Sequence, residues 1–232
     1  MFSGEHFIWI SICIVFVLTM LFFSVKKKLS LKNVGYIMTA ICAFSEISKI
    51  MSDMTESKKG GMFLDPKSLP FHLCSLMLFG VLYITFGKEG RAKKTVIDFI
   101  AVMGTLGSIC AILIPTNGTN FASILSYQCF VYHAGLLWFS LHLIVSKKAS
   151  LGFNSYIRNV IILLVLVLTM IYINSALSYY NTNFMYLVRP PMDNLPFLNL
   201  NHGWYVYFMH IVTLGAVIIT LFHLPFIFGK KD

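Results

Sequence analysis

Charge is what this sequence has least of. Only 12% of its 232 residues are Asp, Glu, Lys or Arg, and nine of those are acidic, whereas 57% of the chain is hydrophobic. That balance excludes an ordinary soluble domain, in which about a quarter of residues are charged. A period-two alternation of apolar and polar positions is also missing, which excludes a membrane β-barrel. No low-complexity tract, internal repeat or separate polar domain is visible. Cysteine is sparse: Cys13, Cys42, Cys74, Cys110 and Cys129 all fall in apolar stretches, so a disulfide framework stapling outer loops is excluded. Four of the five read as small buried hydrophobes. The first apolar block has Glu5 and no lysine before it, its lysines after it, and no small-residue cleavage pattern, so it reads as a retained helix rather than a cleaved leader.

What is present is a set of long apolar blocks. Seven can be marked, at residues 6–25, 32–51, 70–86, 95–114, 123–145, 157–178 and 204–227. A helix needs about 20 residues to cross a hydrocarbon core of about 30 Å, and the third block is the shortest. Inside lipid each backbone N–H and C=O must find an internal partner, which leaves helices. The expected fold is all-α, a single domain over residues 1–232 with seven transmembrane helices.

The basic residues set its orientation. Lys26, Lys27, Lys28, Lys32, Lys88, Arg91, Lys93, Lys94, Lys147, Lys148, Arg158, Lys230 and Lys231 fall at one end of the blocks; Lys58, Lys59, Lys67 and Arg189 lie at the other, and Lys49 falls within a span. The positive-inside rule then puts the N-terminus outside and the C-terminus in the cytoplasm; the expected location is the plasma membrane. A net charge of +9 distributed in this way expresses topology and argues against a nucleic-acid partner.

Polar residues inside the blocks concentrate toward the outer ends. Glu46 and Lys49, three apart on the second helix, either neutralise each other or serve a site. His72 and Cys74 stand at the start of the third helix. Gln128 and His133 are on the fifth and Asn174 is on the sixth; Asn183 and Tyr186 occupy the long loop that follows, and His202 precedes the seventh helix. Asn117-Gly118-Thr119 reads as a turn and matches a glycosylation acceptor. Trp9, Trp204, Tyr205 and Tyr207 read as interface anchors, as do the lone histidines His142, His210 and His223. The loop at 179–203, with Arg189-Pro190-Pro191 and Asn194-Leu195-Pro196, is expected to be irregular.

Cys74 carries the chemical argument. A thiol becomes a nucleophile near a cationic histidine or a helix N-terminus. Pro70 suits the first turn of the third helix, which brings free N–H groups close to Cys74. His72 is a poor partner in a regular helix, where residues two apart point about 200° away from one another. His133 is the favoured base, although equal starting levels for the two helices leave it about 9 Å deeper than Cys74. A fifth helix entering the membrane only at Tyr127 would reduce this to about 3 Å.

The segment LPFHLCSL, Leu69–Leu76, resembles the Leu-Pro-x-His-Leu-Cys signature of the YwaF-like integral membrane family, which has bacterial members and a vertebrate transmembrane acyltransferase that remodels ether phospholipids. YQCFVYHAGLL at Tyr127–Leu137 resembles its Gln-(Phe)-x-x-x-His segment. NTNFMYLVRPP at Asn181–Pro191 resembles its Asn-Tyr-Met-Tyr-Leu loop, with Phe184 where the pattern usually has Tyr; Glu46 and Lys49 also match. The resemblance implies a seven-helix bundle, Cys74 as nucleophile and His133 as base. An acyl chain would pass between a membrane phospholipid and a lysophospholipid through a cysteine thioester, with no cofactor. His72, Gln128 or free N–H groups would hold the oxyanion. Glu46, Lys49, Asn174, Asn183, Tyr186 and His202 would line a polar pocket. Two other readings stay open from the residues alone: transport or ligand binding in the same pocket, and a metal held by His72, Cys74 and His133 or His202.

Overall fold

The computed structural model describes residues 3–56, 64–192, 195 and 197–229, with no side-chain description for 53–56. Lys58, Lys59, Asn194, Pro196, Lys230 and Lys231 therefore lie outside the described residues. Seven α-helices run through the described chain: α1 Gly4–Lys26, α2 Leu31–Glu56, α3 Leu73–Phe86, α4 Arg91–Leu113, α5 Ile124–Val145, α6 Phe153–Ala176 and α7 Trp204–Phe228. No strand occurs among these residues. Six of the helices are long and apolar enough to cross a membrane, and the chain forms a polytopic helical bundle. The α3 helix has 14 residues, about 21 Å at 1.5 Å per residue, and is shorter than a full span.

The expected blocks coincide with these helices apart from their ends. The largest difference in consequence is at α3, expected from residue 70. The helix starts at Leu73, with His72 as its N-cap in extended backbone, and Pro70 lies before it in a turn closed by the Phe71 N–H on the Leu69 carbonyl at 2.8 Å. Pro70 is thus outside the helix: the extended conformation of residue 72 interrupts helical geometry between the proline and Leu73.

Helix α5 is the hub and packs against α1, α2 and α4; α3 bridges α2 and α4, while α6 and α7 form an outer pair attached through α4. Small side chains permit close contact. A Cβ on Gly104 would collide with Ser140 Oγ, and Ser140 donates to the Ile100 carbonyl at 3.0 Å, joining α5 to α4. In a membrane, such packing and hydrogen bonding drive helix association, since lipid tails are as apolar as the helices themselves.

At the lysine-rich end Asp98 is fully buried, accepting from Arg158 at 2.9 Å and from the Ser150 N–H at 2.7 Å. It therefore anchors α6 to α4. His223 and His142, expected at the interface, are buried: His223 Nδ1 bonds the Leu151 carbonyl at 2.9 Å, and His142 Nδ1 lies 3.0 Å from Ser24 Oγ. Trp9 is also in the core instead of the interface, stacked on Phe130 at 4.7 Å and donating to the Thr119 carbonyl at 3.0 Å. Tyr207 is buried, whereas Tyr205 is exposed as expected of an anchor. These burials share one cause: a polar side chain with a partner on another helix or loop is stabilised inside the bundle, and the sequence does not display the partner.

Candidate functional site

At the end opposite the lysine-rich loops, α2, α3, α4, α5 and the segment around residues 185–191 enclose a cavity of about 480 Å³. That volume is in the range of small-molecule sites. Both Cys74 and His133 line it. Helix α3 begins only at Leu73, after residues 64–72 run as bends, extended chain and a 3-10 turn, and the Tyr132 hydroxyl beside His133 reaches the Cys74 carbonyl.

Cys74 is the second residue of α3, whose start has no side-chain cap. Its first intrahelical bond runs from the Leu76 N–H to the His72 carbonyl at 2.9 Å. The first-turn N–H groups of a helix lack intrahelical acceptors and carry the positive end of the dipole. Here that end opens on the cavity, since Leu73, Cys74 and Ser75 all line it. Tyr132 of α5 donates its hydroxyl to the Cys74 carbonyl and ties the two helices together at this point. On the far side, a Cβ on Gly107 of α4 would come within 3.2 Å of Cys74 Sγ, so the glycine makes room for the sulfur.

His133 is one helical turn after Cys129. Its Nδ1 lies 2.7 Å from the Cys129 carbonyl oxygen. A carbonyl oxygen only accepts, so Nδ1 carries the proton and Nε2 is left as the basic nitrogen of the neutral ring. Cys129 Sγ is 3.6 Å from the same Nδ1, and a protonated nitrogen has no lone pair with which to take a thiol proton.

His72 lines the cavity too. Because it is the N-cap, the 200° separation expected of a regular turn does not apply, and it shares the cavity with Cys74. Its ring packs on Phe184 at 5.7 Å and Tyr186 at 5.1 Å. Lying before the spanning segment, it is pushed down to about 4 by burial and by the Lys49 ammonium, and is neutral at pH 7.

Gln128 lines the cavity in a fixed orientation: it donates to Ser45 Oγ at 2.7 Å and accepts from Asn117 Nδ2 at 3.2 Å. Lys49 lines it as well, paired to Glu46 at 2.9 Å, while Glu46 itself is set back from the lining. Tyr186 faces the cavity and donates to Thr116 Oγ1 at 3.3 Å; burial raises its phenol, which stays protonated.

Asn174, Asn183 and His202 are not among the lining residues. Asn174 grips the Phe184 backbone at both ends of its amide, donating to the carbonyl at 3.0 Å and accepting from the N–H at 2.8 Å. Asn183 folds the following turn by accepting from the N–H groups of Val188 and Arg189, each at 3.1 Å. His202 is exposed. Met185 and Tyr186 take left-handed backbone, each with φ of 55°, an arrangement that costs a non-glycine residue about 1–2 kcal/mol and persists only under external restraint. Asn174 supplies that restraint from α6, and Tyr207 supplies it from α7 by donating to the Tyr186 carbonyl.

Sequence reasoning missed Cys110, Cys129, Tyr132, Gly107 and Lys67. Cys110 is exposed instead of buried, and both it and Cys129 line the cavity. The one available signal was the four-residue interval between Cys129 and His133, which puts them on one helix face. Among the described residues no three His, Cys, Asp or Glu side chains are grouped to hold a metal ion.

The TMEM164 family model matches residues 1–223. The match carries that family's name and not the YwaF-like one. Comparison with curated proteins and with solved structures gave no match.

Proposed function

The chain belongs to the TMEM164 family of multi-pass membrane proteins, and on that premise we propose that it is a cysteine-dependent acyltransferase acting on membrane phospholipids. One observation carries this reading: Cys74, at an uncapped helix start, shares a cavity with His133, whose Nε2 is free to accept a proton. The resemblance of the Leu69–Leu76, Tyr127–Leu137 and Asn181–Pro191 segments to the YwaF-like family supports it and belongs to the same proposal.

In the first half-reaction His133 Nε2 takes the thiol proton, and Cys74 Sγ attacks the carbonyl carbon of a phospholipid ester. The carbon–oxygen ester bond then breaks. The departing oxygen takes the proton from His133 and leaves as a lysophospholipid hydroxyl, while the acyl group remains on sulfur as a thioester. In the second half-reaction a hydroxyl of an acceptor lysophospholipid loses its proton to His133 and attacks the thioester, restoring the Cys74 thiol once the proton returns. The oxyanion of each tetrahedral intermediate is held by the first-turn N–H groups of α3, assisted by His72 or by the second N–H of Gln128; removing one such donor costs about 10²–10³ in rate.

With the lysine-rich end in the cytoplasm, the cavity opens at the outer leaflet of the plasma membrane, where ester groups lie at interface depth. The test is acyl exchange between a labelled phospholipid and a lysophospholipid by the purified, reconstituted protein. Wild-type protein transfers the label, whereas transfer at the wild-type rate by Cys74→Ala removes the mechanism.

A further inference from the structure

The charges that face the cavity are all of one sign. Lys49 of α2 and Lys67, in the 3-10 turn Pro66–Ser68, both line it, and no carboxylate does so among the described residues. Glu46 satisfies one hydrogen-bonding direction of Lys49 from outside the lining, and an ammonium has two further donors. Asp65 does not neutralise Lys67 across the cavity: its carboxylate accepts the Lys67 backbone N–H at 2.9 Å as the cap of that turn. Arg189, the remaining cation of the outer loops that is described, donates to the Asn181 carbonyl at 3.0 Å and is not among the lining residues. Neutral donors line the same cavity, among them Ser68 and the uncapped start of α3. Two lysines from separate elements, in a cavity that also presents hydroxyl and N–H donors and no lining carboxylate among the described residues, make a complement to a tetrahedral oxyanion.

We propose that Lys49 and Lys67 form a phosphate-binding subsite at the mouth of the cavity, which seats the phosphodiester of a glycerophospholipid while its ester reaches Cys74. This assignment rests on the acyltransferase reading for the identity of the ester, but the binding it describes does not require catalysis. It makes both lysines substrate-positioning residues. Lipids that share the acyl ester and lack phosphate, such as diacylglycerol or monoacylglycerol, have nothing to offer the two ammonium groups and are discriminated against on binding. The 480 Å³ of the cavity takes headgroup and glycerol, and the acyl chains extend along the apolar lining toward the bilayer.

The experiment measures binding to purified full-length protein in a neutral maltoside detergent by native mass spectrometry, with three probes: oleoyl-lysophosphatidylglycerol, monooleoylglycerol and inorganic phosphate. Wild-type protein is expected to hold the lysophospholipid at least about tenfold more tightly than monooleoylglycerol, as charge-assisted hydrogen bonds imply. Lys67→Gln removes most of that preference and Lys67→Arg retains it. Lys67 is exposed, so its substitution leaves the fold intact; Lys49→Gln, which also strips Glu46 of its partner, is a supplementary variant. Equal binding of the lysophospholipid by wild type and Lys67→Gln overturns the subsite. Displacement of the lysophospholipid by millimolar inorganic phosphate alone overturns the lipid assignment in favour of a free-phosphate site. Cys74→Ala is expected to bind the lysophospholipid as wild type does. If the preference depends on Lys67 while Cys74→Ala still transfers acyl chains, the subsite stands and the thioester mechanism falls.

Discussion

His133 donates its Nδ1 proton to the carbonyl oxygen of Cys129, 2.7 Å away and one turn earlier on α5. That bond fixes the tautomer and removes Cys129 from the thiols that His133 can deprotonate, while Cys110, in the last turn of α4, sits at the negative end of that helix's dipole. Nε2 alone can act as a base, and Cys129, whose sulfur contacts Nδ1, has no acceptor for its proton there. Cys129→Ala and Cys110→Ala are therefore expected to keep acyl transfer within about threefold of wild type, whereas His133→Phe lowers it by about 10²–10⁴, the usual contribution of a general base. Initial rates of labelled acyl exchange decide it; a collapse in Cys129→Ala equal to that in Cys74→Ala transfers the nucleophilic role to Cys129.

Tyr132 holds the start of α3 through the Cys74 carbonyl. Tyr132→Phe removes one buried hydrogen bond, expected to cost about 1–2 kcal/mol of stability and to lower the acyl-transfer rate by about tenfold through loss of thiol placement. Thermal unfolding in detergent together with exchange rates checks this. An unchanged rate with lowered stability shows that Tyr132 braces the helices without placing the thiol.

Gly107 leaves room for the sulfur. In Gly107→Ala the new methyl group arrives 3.2 Å from Cys74 Sγ, so the side chain must move by a few tenths of an ångström. A rate loss well below the roughly 10²-fold that a full ångström of misplacement costs is expected, with unchanged Tm; an unchanged rate shows that the sulfur tolerates the shift.

The bundle was legible in the sequence because lipid demands long apolar helices, and all seven helices were found. What escaped were positions decided by partners. Trp9 and His142 look like interface residues until Thr119 and Ser24 are seen beside them. The beginning of α3 was misplaced because Pro70 fits a first helical turn, yet the chain remains extended through His72. Cys74 and His133 stood out by motif; Cys110 and Gly107 resemble any small residue of a membrane helix, and only α4 packing beside α3 brings them to the cavity. Asn174 and Asn183 were recognisably polar, but their work is to fold the outer loop by backbone hydrogen bonds.

Asn174→Ala tests that role. It leaves the Phe184 N–H and carbonyl without their partners in a buried setting, at a cost of about 1–3 kcal/mol for each group left unsatisfied. The left-handed backbone at Met185 and Tyr186 then loses its α6 restraint. Faster chymotryptic cleavage after Tyr186 is expected, and cleavage at the wild-type rate argues that α7 alone holds the loop.

His72 supplies a pH dependence. Its folded-state value of about 4 is below the ordinary 6.5, so between these values the unfolded chain binds more protons and stability falls as pH is lowered. Above about pH 6.5 this contribution is constant. His72→Gln is expected to flatten the decline in Tm between pH 6.5 and 4, and a decline as steep as in wild type assigns it to other groups.

The most direct test of the account is to mix reconstituted protein with a phospholipid carrying a heavy-isotope acyl chain, quench in acid, and weigh the peptide that contains Cys74. The account predicts a hydroxylamine-labile acyl adduct on Cys74 that disappears when lysophospholipid is added as acceptor and never forms in Cys74→Ala. Acyl exchange that proceeds in Cys74→Ala, or an adduct found on Cys129 or Cys110 instead, contradicts it.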